Sequence, residues 1–442
     1  MNDFQILKRI FNAFDPFRPL PPGDPTYVDC EEVRGDCDIL IELGRSILLS
    51  DRVTCNLYAG HRGAGKSTEL LRLKADLEQQ KYYVVYFAAD DEDIDPEDAQ
   101  YTDILLACTR RLLEGLKDSA KPDPLLNWLK YRWDSLKDLA LTEVKFESLS
   151  LESQMLQFAK LTANLRAVPS TRQKIREQVD ANTVSLIEAL NEFITDAKHN
   201  LPLGCSELVV IADNLDRIVP IYEPNGKRSN HDEIFIDRCE QLSKLNCHTI
   251  YTVPISMVYS DRGTVLEDRY SKAQVLPMIM VRQPTGETYT KGIDKLKELI
   301  DKRIRHSVPD LTLEQVFEDT NTVEQICLIS GGHVRNLMLL MKTSLQRSPR
   351  LPIGKKAVRR AITELRETYR TAVNEPEWMM LAQVAKTKQM PNQDEYRKLL
   401  FNRCILEYRY LDEGGEIKVW HDVHPLIHGI ERFQSALKSH NP

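Results

Sequence analysis

Phe4, Leu7, Phe11 and Phe14 recur at helical spacing and predict an apolar helix face at the start of the chain. That face predicts a helix docked on the protein's own core or on a neighbouring subunit. Pro16, Pro19, Pro21, Pro22, Gly23 and Pro25 form a stiff connector, because each proline fixes φ and removes a backbone donor, so the arm ends near Thr26. A helical stretch around Asp36 to Leu49, an apolar strand from Val53 to Tyr58, a glycine-rich loop and a helix from Ser67 to about Gln80 follow. Tyr82 to Ala88, rich in β-branched and aromatic residues, predicts a second buried strand. The acidic run from Asp90 to Asp98 lacks the Gly and terminal Glu of a calcium loop and predicts a solvated loop.

From about Thr109 to His199 the pattern is helical, with Met155, Phe158, Leu161 and Leu165, then Leu186, Leu190, Phe193 and Ile194, at spacings of three and four. Strands return at Glu207 to Ala212, Thr249 to Val253 and Ala273 to Val281, with a helix around Ile234 to Leu245 between the first two. Strands alternating with helices predict an α/β fold with a parallel sheet. Beyond Gln283 and Pro284 the pattern is all-helical to about Thr371. After Pro376, two helices precede strand-like Cys404 to Tyr410, a Gly-Gly turn and Ile417 to Trp420, which predicts a winged helix. The expected organisation is an arm and linker over 1–26 and an α/β domain over 27–283, with a helical insertion at about 110–200. A helical lid over 284–371 and a winged helix over 372–442 complete it.

Composition supports several folded units: 442 residues with 42% hydrophobic and 28% charged residues exceed what one core usually serves. The net charge of -7 opposes binding to nucleic acid or anionic membranes by the chain as a whole. A basic stretch from Lys342 to Arg370, including Arg347, Arg350, Lys355, Lys356, Arg359 and Arg360, is the local exception. Nine cysteines without CxxC pairing predict reduced thiols in a cytoplasmic protein, and the absence of a long apolar run or signal-like start predicts no membrane association.

The chemistry lies in Gly60-His61-Arg62-Gly63-Ala64-Gly65-Lys66-Ser67, followed by Thr68, between a predicted strand and helix. This is the P-loop pattern: glycines let backbone N–H groups converge on phosphates, Lys66 reaches the β- and γ-phosphates, and Ser67 ligates Mg²⁺. A second magnesium-side carboxylate is expected at the end of a buried strand, and Asp213 ends Leu208-Val209-Val210-Ile211-Ala212. Asn214 follows where an ATPase often has Glu, so hydrolysis is expected to be slow or assisted by Asp216.

The order of motifs resembles the AAA+ and STAND class of P-loop ATPases, nearest to bacterial ATPases with a nucleotide domain, helical lid and winged helix. The resemblance implies a polar γ-phosphate sensor at Thr252, with Ser256 in reserve. It implies an arginine finger acting on a neighbouring subunit at Arg269, with Arg262 the alternative, and a triphosphate-sensing lid arginine at Arg335 in Ser330-Gly331-Gly332-His333-Val334-Arg335. A winged-helix histidine against the diphosphate falls on His424, although His421-Asp422 fits the letters better; satisfied structural histidines and a zinc site with His428 are the competing accounts. Tyr27 and Val28 occupy the adenine-packing place, and Arg34-Gly35 the motif after it.

The resulting expectation is an ATP- and Mg²⁺-dependent ATPase switch, a homo-oligomer with a protein effector partner, in bacterial defence or signalling. Two alternatives stand beside it. One is an ATP-dependent DNA-associated AAA+ protein of initiator or transposition-regulator type using the basic 342–370 stretch; the other is a small-molecule kinase.

Overall fold

Runs of β-branched and aromatic residues form a five-stranded sheet in the computed structural model, which describes residues 2–132, 150–222, 228–270 and 272–439. The strands are β1 (Cys55–Gly60), β2 (Tyr82–Ala88), β3 (Glu207–Asp213), β4 (His248–Pro254) and β5 (Gln274–Leu276). Their order is β2-β3-β4-β1-β5, and every pairing is parallel. β4 is buried throughout and β3 beyond its first residue, as a parallel sheet covered on both faces requires. Alternation splits the core: Leu57, Ala59, Val210, Ala212, Tyr251 and Val253 share one cluster, while Tyr58, Val209, Ile211 and Ile250 share the other. The phosphate loop leaves the carboxyl end of β1, where open α/β sheets place their ligands.

Two strands differ from the sequence expectation. β1 starts two residues later than Val53. β5 is only three residues long because Pro277 has no N–H, and the donors beyond it leave the sheet: Met278 N donates to Glu407 O and Met280 N to Val33 O. The expected strand to Val281 is therefore an extended seam rather than a ladder.

α1 (Asp3–Ala13) precedes the sheet, and α2 (Lys66–Gln79) follows the phosphate loop. Between β2 and β3 lie α3 (Tyr101–Leu116), α4 (Asp123–Tyr131), α5 (Leu151–Ala167), α6 (Pro169–Ala181) and α7 (Thr183–His199). The part of the helical expectation at 133–149 falls outside the described residues. The acidic run is not a solvated loop. Asp93 is fully buried and takes Arg110 and Arg111; Arg172 bridges Asp95 and Asp98; Arg176 joins Asp98 to the fully buried Asp103. The carboxylates bolt the inserted helices to the end of β2, a tertiary pairing that composition alone does not display.

After β4 come α8 (Gly263–Tyr270) and, beyond β5, α9 (Thr290–Ser307), α10 (Thr320–Ser330), α11 (Val334–Gln346) and α12 (Lys355–Ala372). α1 docks on this helical region, against α9 and α11, with Ile10 and Phe14 fully buried and Lys342 over the Phe11 ring at 4.4 Å. The chain ends with α13 (Glu377–Thr387), α14 (Asp394–Phe401), the antiparallel hairpin β6 (Ile405–Leu411) and β7 (Ile417–Val423), and α15 (Glu431–Ser439). Leu406, Tyr408 and Trp420 of the hairpin join the α2 side of the sheet core. All nine cysteines are free, and among the described residues no helix is long and apolar enough to cross a membrane.

Replacing Asp103 with Ala leaves the buried Arg176 guanidinium with Asp98 as its remaining carboxylate and should lower stability by about 3 kcal/mol in urea unfolding, the low end of the cost of breaking a buried pair. Glu364→Ala, which removes an exposed pair with Arg347, should cost less than about 1 kcal/mol.

Candidate functional site

β1 ends at Gly60 and α2 begins at Lys66, so the intervening turn presents its amides at a helix N-terminus. Gly60, Gly63 and Gly65 all have positive φ (148°, 89° and 113°). At Gly63 a Cβ would meet Arg335 Cβ and His333 Cε1 at 2.7 Å, so glycine is required by close approach as well as by backbone conformation. Lys66 curls back over the loop. Its Nζ donates to Gly60 O (2.9 Å) and His61 O (3.1 Å) and pairs with Asp216 at 2.8 Å, both side chains being only 4–5% exposed.

Asp213 is buried at the end of β3. Its Oδ2 accepts from Tyr86 Oη at 2.8 Å and Oδ1 from Asn214 N at 2.7 Å, and the Ser67 hydroxyl lies beside it. Burial, reinforced by Asp216, raises the Asp213 pKa above the usual carboxylate value against these hydrogen bonds. Asn214 sits in the left-handed region (φ 65°) and donates to Asp90 Oδ1 at 2.7 Å; Arg217 pairs with the other oxygen of Asp90. Leu215 N donates to Thr252 Oγ1 at 2.9 Å, and the Thr252 hydroxyl reaches Ala212 O at 3.4 Å. Thr252 is thus fully buried and fastens the turn carrying Asp216, rather than facing the cavity.

The helical region reaches the same loop. Gly331 and Gly332, both at positive φ, end α10, and a Cβ on Gly332 would lie 1.7 Å from Ile279 O. His333 caps α11: Nδ1 accepts from Asn336 N at 3.1 Å, which leaves Nε2–H to donate to Arg62 O at 2.7 Å. Arg335 N donates to Gly63 O at 3.1 Å. The Arg335 guanidinium faces the cavity, with Nε donating to Pro16 O at 3.2 Å and the Phe17 ring 5.7 Å away. The C-terminal hairpin makes a third contact, from Glu407 N to His61 Nε2 at 3.0 Å, and Arg62 lies 4.6 Å over the Phe401 ring.

A cavity of about 370 Å³ lies between these elements. Gly63, Ala64, Gly65, Lys66, Ser67 and Thr68 line its phosphate end, while Tyr27, Val28, Ile279, Leu299 and Met338 line an apolar end suited to a flat base. Arg34 donates to Ala64 O at 2.8 Å and to Pro277 O, tying Arg34-Gly35 to the loop. Asp216 and Arg335 line the cavity as well.

Other expected residues lie elsewhere. His424 is fully buried between α11 and α12, 2.8 Å from the Asn336 amide and stacked on Tyr369 at 4.6 Å, so it does not face the cavity. His421 packs edge-on against Tyr259 at 5.2 Å, also away from it. No group of three or more His, Cys, Asp or Glu that could hold a metal occurs among the described residues, so the zinc alternative at His421, His424 and His428 has no ligand set there. Arg269 is half exposed and 3.9 Å from Glu240; Arg262 pairs with Asp237. Neither lines the cavity. Asp90 and Arg217 escaped the sequence reading. Their signal is positional: each closely follows the carboxyl end of a buried strand.

No family model matches the chain, and no curated protein does. Among solved structures it is similar to the Walker-type ATPase PABY2304 of Pyrococcus abyssi, at 14% identity and TM-score 0.44 over 96% of this chain and 99% of that one. It is also similar to the ORC2 protein of Aeropyrum pernix, at 11% and 0.42 over 97% and 98%. Cdc6p from Pyrobaculum aerophilum gives 11% and 0.39 over 97% and 98%. At these values the likeness carries no residue's role to this chain.

His61, His333 and His424 are buried and neutral, with pKa values pushed down chiefly by burial, to about 3 for His424. Unfolded, each takes up a proton near pH 6.5, so its contribution is complete above that pH and lost as pH falls towards the folded value. Unfolding stability should therefore drop by up to about 1.4 kcal/mol per pH unit per histidine below about pH 6.5. Denaturation midpoints from pH 7 to 5 should show a shallower slope in His424→Gln.

Proposed function

We propose that the chain is an ATP-binding and slowly hydrolysing switch of AAA+/STAND type, in which nucleotide state sets the arrangement of the helical lid and C-terminal module. The single observation that carries this reading is the grip of three distant parts of the chain on one loop. Asp216 holds Lys66, His333 and Arg335 hold Arg62 and Gly63, and Glu407 holds His61. Phosphates seated on the loop amides must draw Lys66 from Asp216, so occupancy changes a contact on which the other parts rest. A ligand shifts such an arrangement by its differential affinity for the two states.

Ser67 and Asp213 form an adjacent hydroxyl and carboxylate, an oxygen donor pair suited to a hard divalent cation. Mg²⁺ bound there would supply charge neutralisation for the β- and γ-phosphates. Asp216, once freed from Lys66, is the carboxylate placed to orient water, since Asn214 is committed to Asp90. Thr252 acts in this reading through the turn it fastens. The segments after Pro376, read as a winged helix, dock on the loop through the hairpin; Arg269 is left to serve a neighbouring copy in a homo-oligomer, through which a protein effector is controlled, as in bacterial defence or signalling.

A second reading, a DNA-associated ATPase of initiator type, is favoured by one surface. Lys356, Arg359 and Arg360 are exposed on α12 beside a groove and have no ion-pair partner among the described residues.

Fluorescent ATP and ADP titrations test the main reading. Lys66→Ala should abolish binding of both. Asp213→Ala should keep nucleotide binding yet lower Mg²⁺-dependent turnover by roughly a hundredfold, the scale of several kcal/mol of metal-assisted stabilisation. Unchanged behaviour in both variants refutes the site. For the second reading, duplex DNA retention should fall steeply with salt, and replacing Lys356, Arg359 and Arg360 with Ala should reduce the log–log slope by about 3. No retention at low salt removes that reading.

A further inference from the structure

Three arginines face the phosphate end of the cavity from one chain: Arg62 from the loop, Arg217 from the turn after β3, and Arg335 from the first turn of α11. Their hydrogen bonding is incomplete. Arg62 Nε is buried with no partner among the described residues while its guanidinium carbon lies 4.6 Å over the Phe401 ring. Arg217 gives one nitrogen to Asp90, and among the described residues that is the one bond its guanidinium makes. Arg335 spends its Nε on a backbone carbonyl, Pro16 O.

Carboxylates balance this charge only in part. Asp90 takes Arg217, and Asp216, the acid that acts most on Arg62 and Arg335, is engaged by Lys66. Burial, followed by Arg217 and Arg403, lowers the Arg335 pKa to about 10, and Arg403 and Arg217 act on Arg62 in the same direction. Gathering like charges away from water is costly unless an anion of high charge density joins them. Position says which anion. The loop amides and α2 N-terminus serve the inner phosphates, whereas Arg217 directly follows Asp216, whose carboxylate touches the Lys66 ammonium that spans the β- and γ-phosphates.

We propose that Arg62 and Arg217 act with Arg335 as a same-chain clamp on the terminal phosphate of a bound nucleoside triphosphate, with Asp90 as the residue that positions Arg217. This rests on the P-loop reading above and deepens it: the chain distinguishes tri- from diphosphate without an arginine from a second copy. Asp90 fixes both Asn214 and Arg217, so the turn bearing Asp216 and the clamp move as one piece.

The test is the ratio of ATP to ADP affinity, measured with fluorescent nucleotides on the full chain. Arg217→Ala and Arg62→Ala should each reduce the preference for ATP by roughly tenfold or more, the scale of a charge-assisted hydrogen bond, with ADP affinity moved far less. Arg217→Lys, which keeps a cation on Asp90 but loses the planar fork, guards against a folding defect and should shift the ratio in the same direction. Asp90→Asn should give a smaller shift of the same sign. Equal losses for ATP and ADP, or an unchanged ratio in both arginine variants, overturn the clamp. Mixing Arg217→Ala chains with Lys66→Ala chains should not restore the preference; restoration would show that the arginine acts across subunits and would overturn the same-chain assignment. A wild-type chain that binds neither nucleotide refutes the P-loop reading itself, an outcome distinct from all of these.

Discussion

The ion pair between Lys66 and Asp216 is the constraint on which the rest of the site depends. A buried ammonium needs a counter-charge and full hydrogen bonding, and Lys66 has both: Asp216 at 2.8 Å and the Gly60 and His61 carbonyls. Asp216 in turn is held where it is by a turn with two anchors, Thr252 under Leu215 N and Asp90 under Asn214 and Arg217. In the proposed function, phosphate binding is therefore an exchange of anions around one ammonium. The free energy of nucleotide capture is reduced by whatever the Asp216 contact contributes, and in return capture releases a carboxylate at a defined position.

That exchange reaches far because the loop is short and crowded. His61 accepts from β6, Arg62 O accepts from the cap of α11, and Gly63 O accepts from Arg335 N, so three consecutive residues are divided between two interfaces, the hairpin and α11. The arm contributes through Pro16 O on Arg335 and Leu20 N on Thr68 Oγ1, which joins the proline-rich connector to both sides of the cavity. Any bound state that these contacts resist and others favour is coupled to domain placement by that difference, and the coupling runs equally in both directions.

Local patterns were legible in the sequence and tertiary partnerships were not. The loop and its helix follow from glycine spacing between an apolar strand and an amphipathic helix, and Asp213 from a run of buried residues ending in an acid. The aromatic stripe of α1 left its own core and a neighbouring subunit both open; α1 docks on its own chain through Ile10 and Phe14, while Phe4 stays exposed. By contrast, the acidic run from Asp90 to Asp98 resembles a solvated loop until Arg110, Arg111, Arg172 and Arg176 arrive from helices far along the chain. β5 was overextended because its apolar residues continue past Pro277 while its donors turn to the hairpin and to Val33. His424 occupies a motif-like position, yet its ring turns inward to Asn336 and Tyr369, an orientation that letters do not encode.

Asn214 shows how local geometry and chemistry are joined here. At φ 65° the residue after Asp213 must tolerate the left-handed region, which Asn does readily and Glu much less so. Its amide donates to Asp90, where a second carboxylate would instead repel the group that also secures Arg217. A Glu at this position would therefore strain the turn and loosen the arginine, even while adding an acid beside the phosphates. In the proposed reading the carboxylate left for water is Asp216, two residues on. There a turn closed by Thr252 holds it on Lys66.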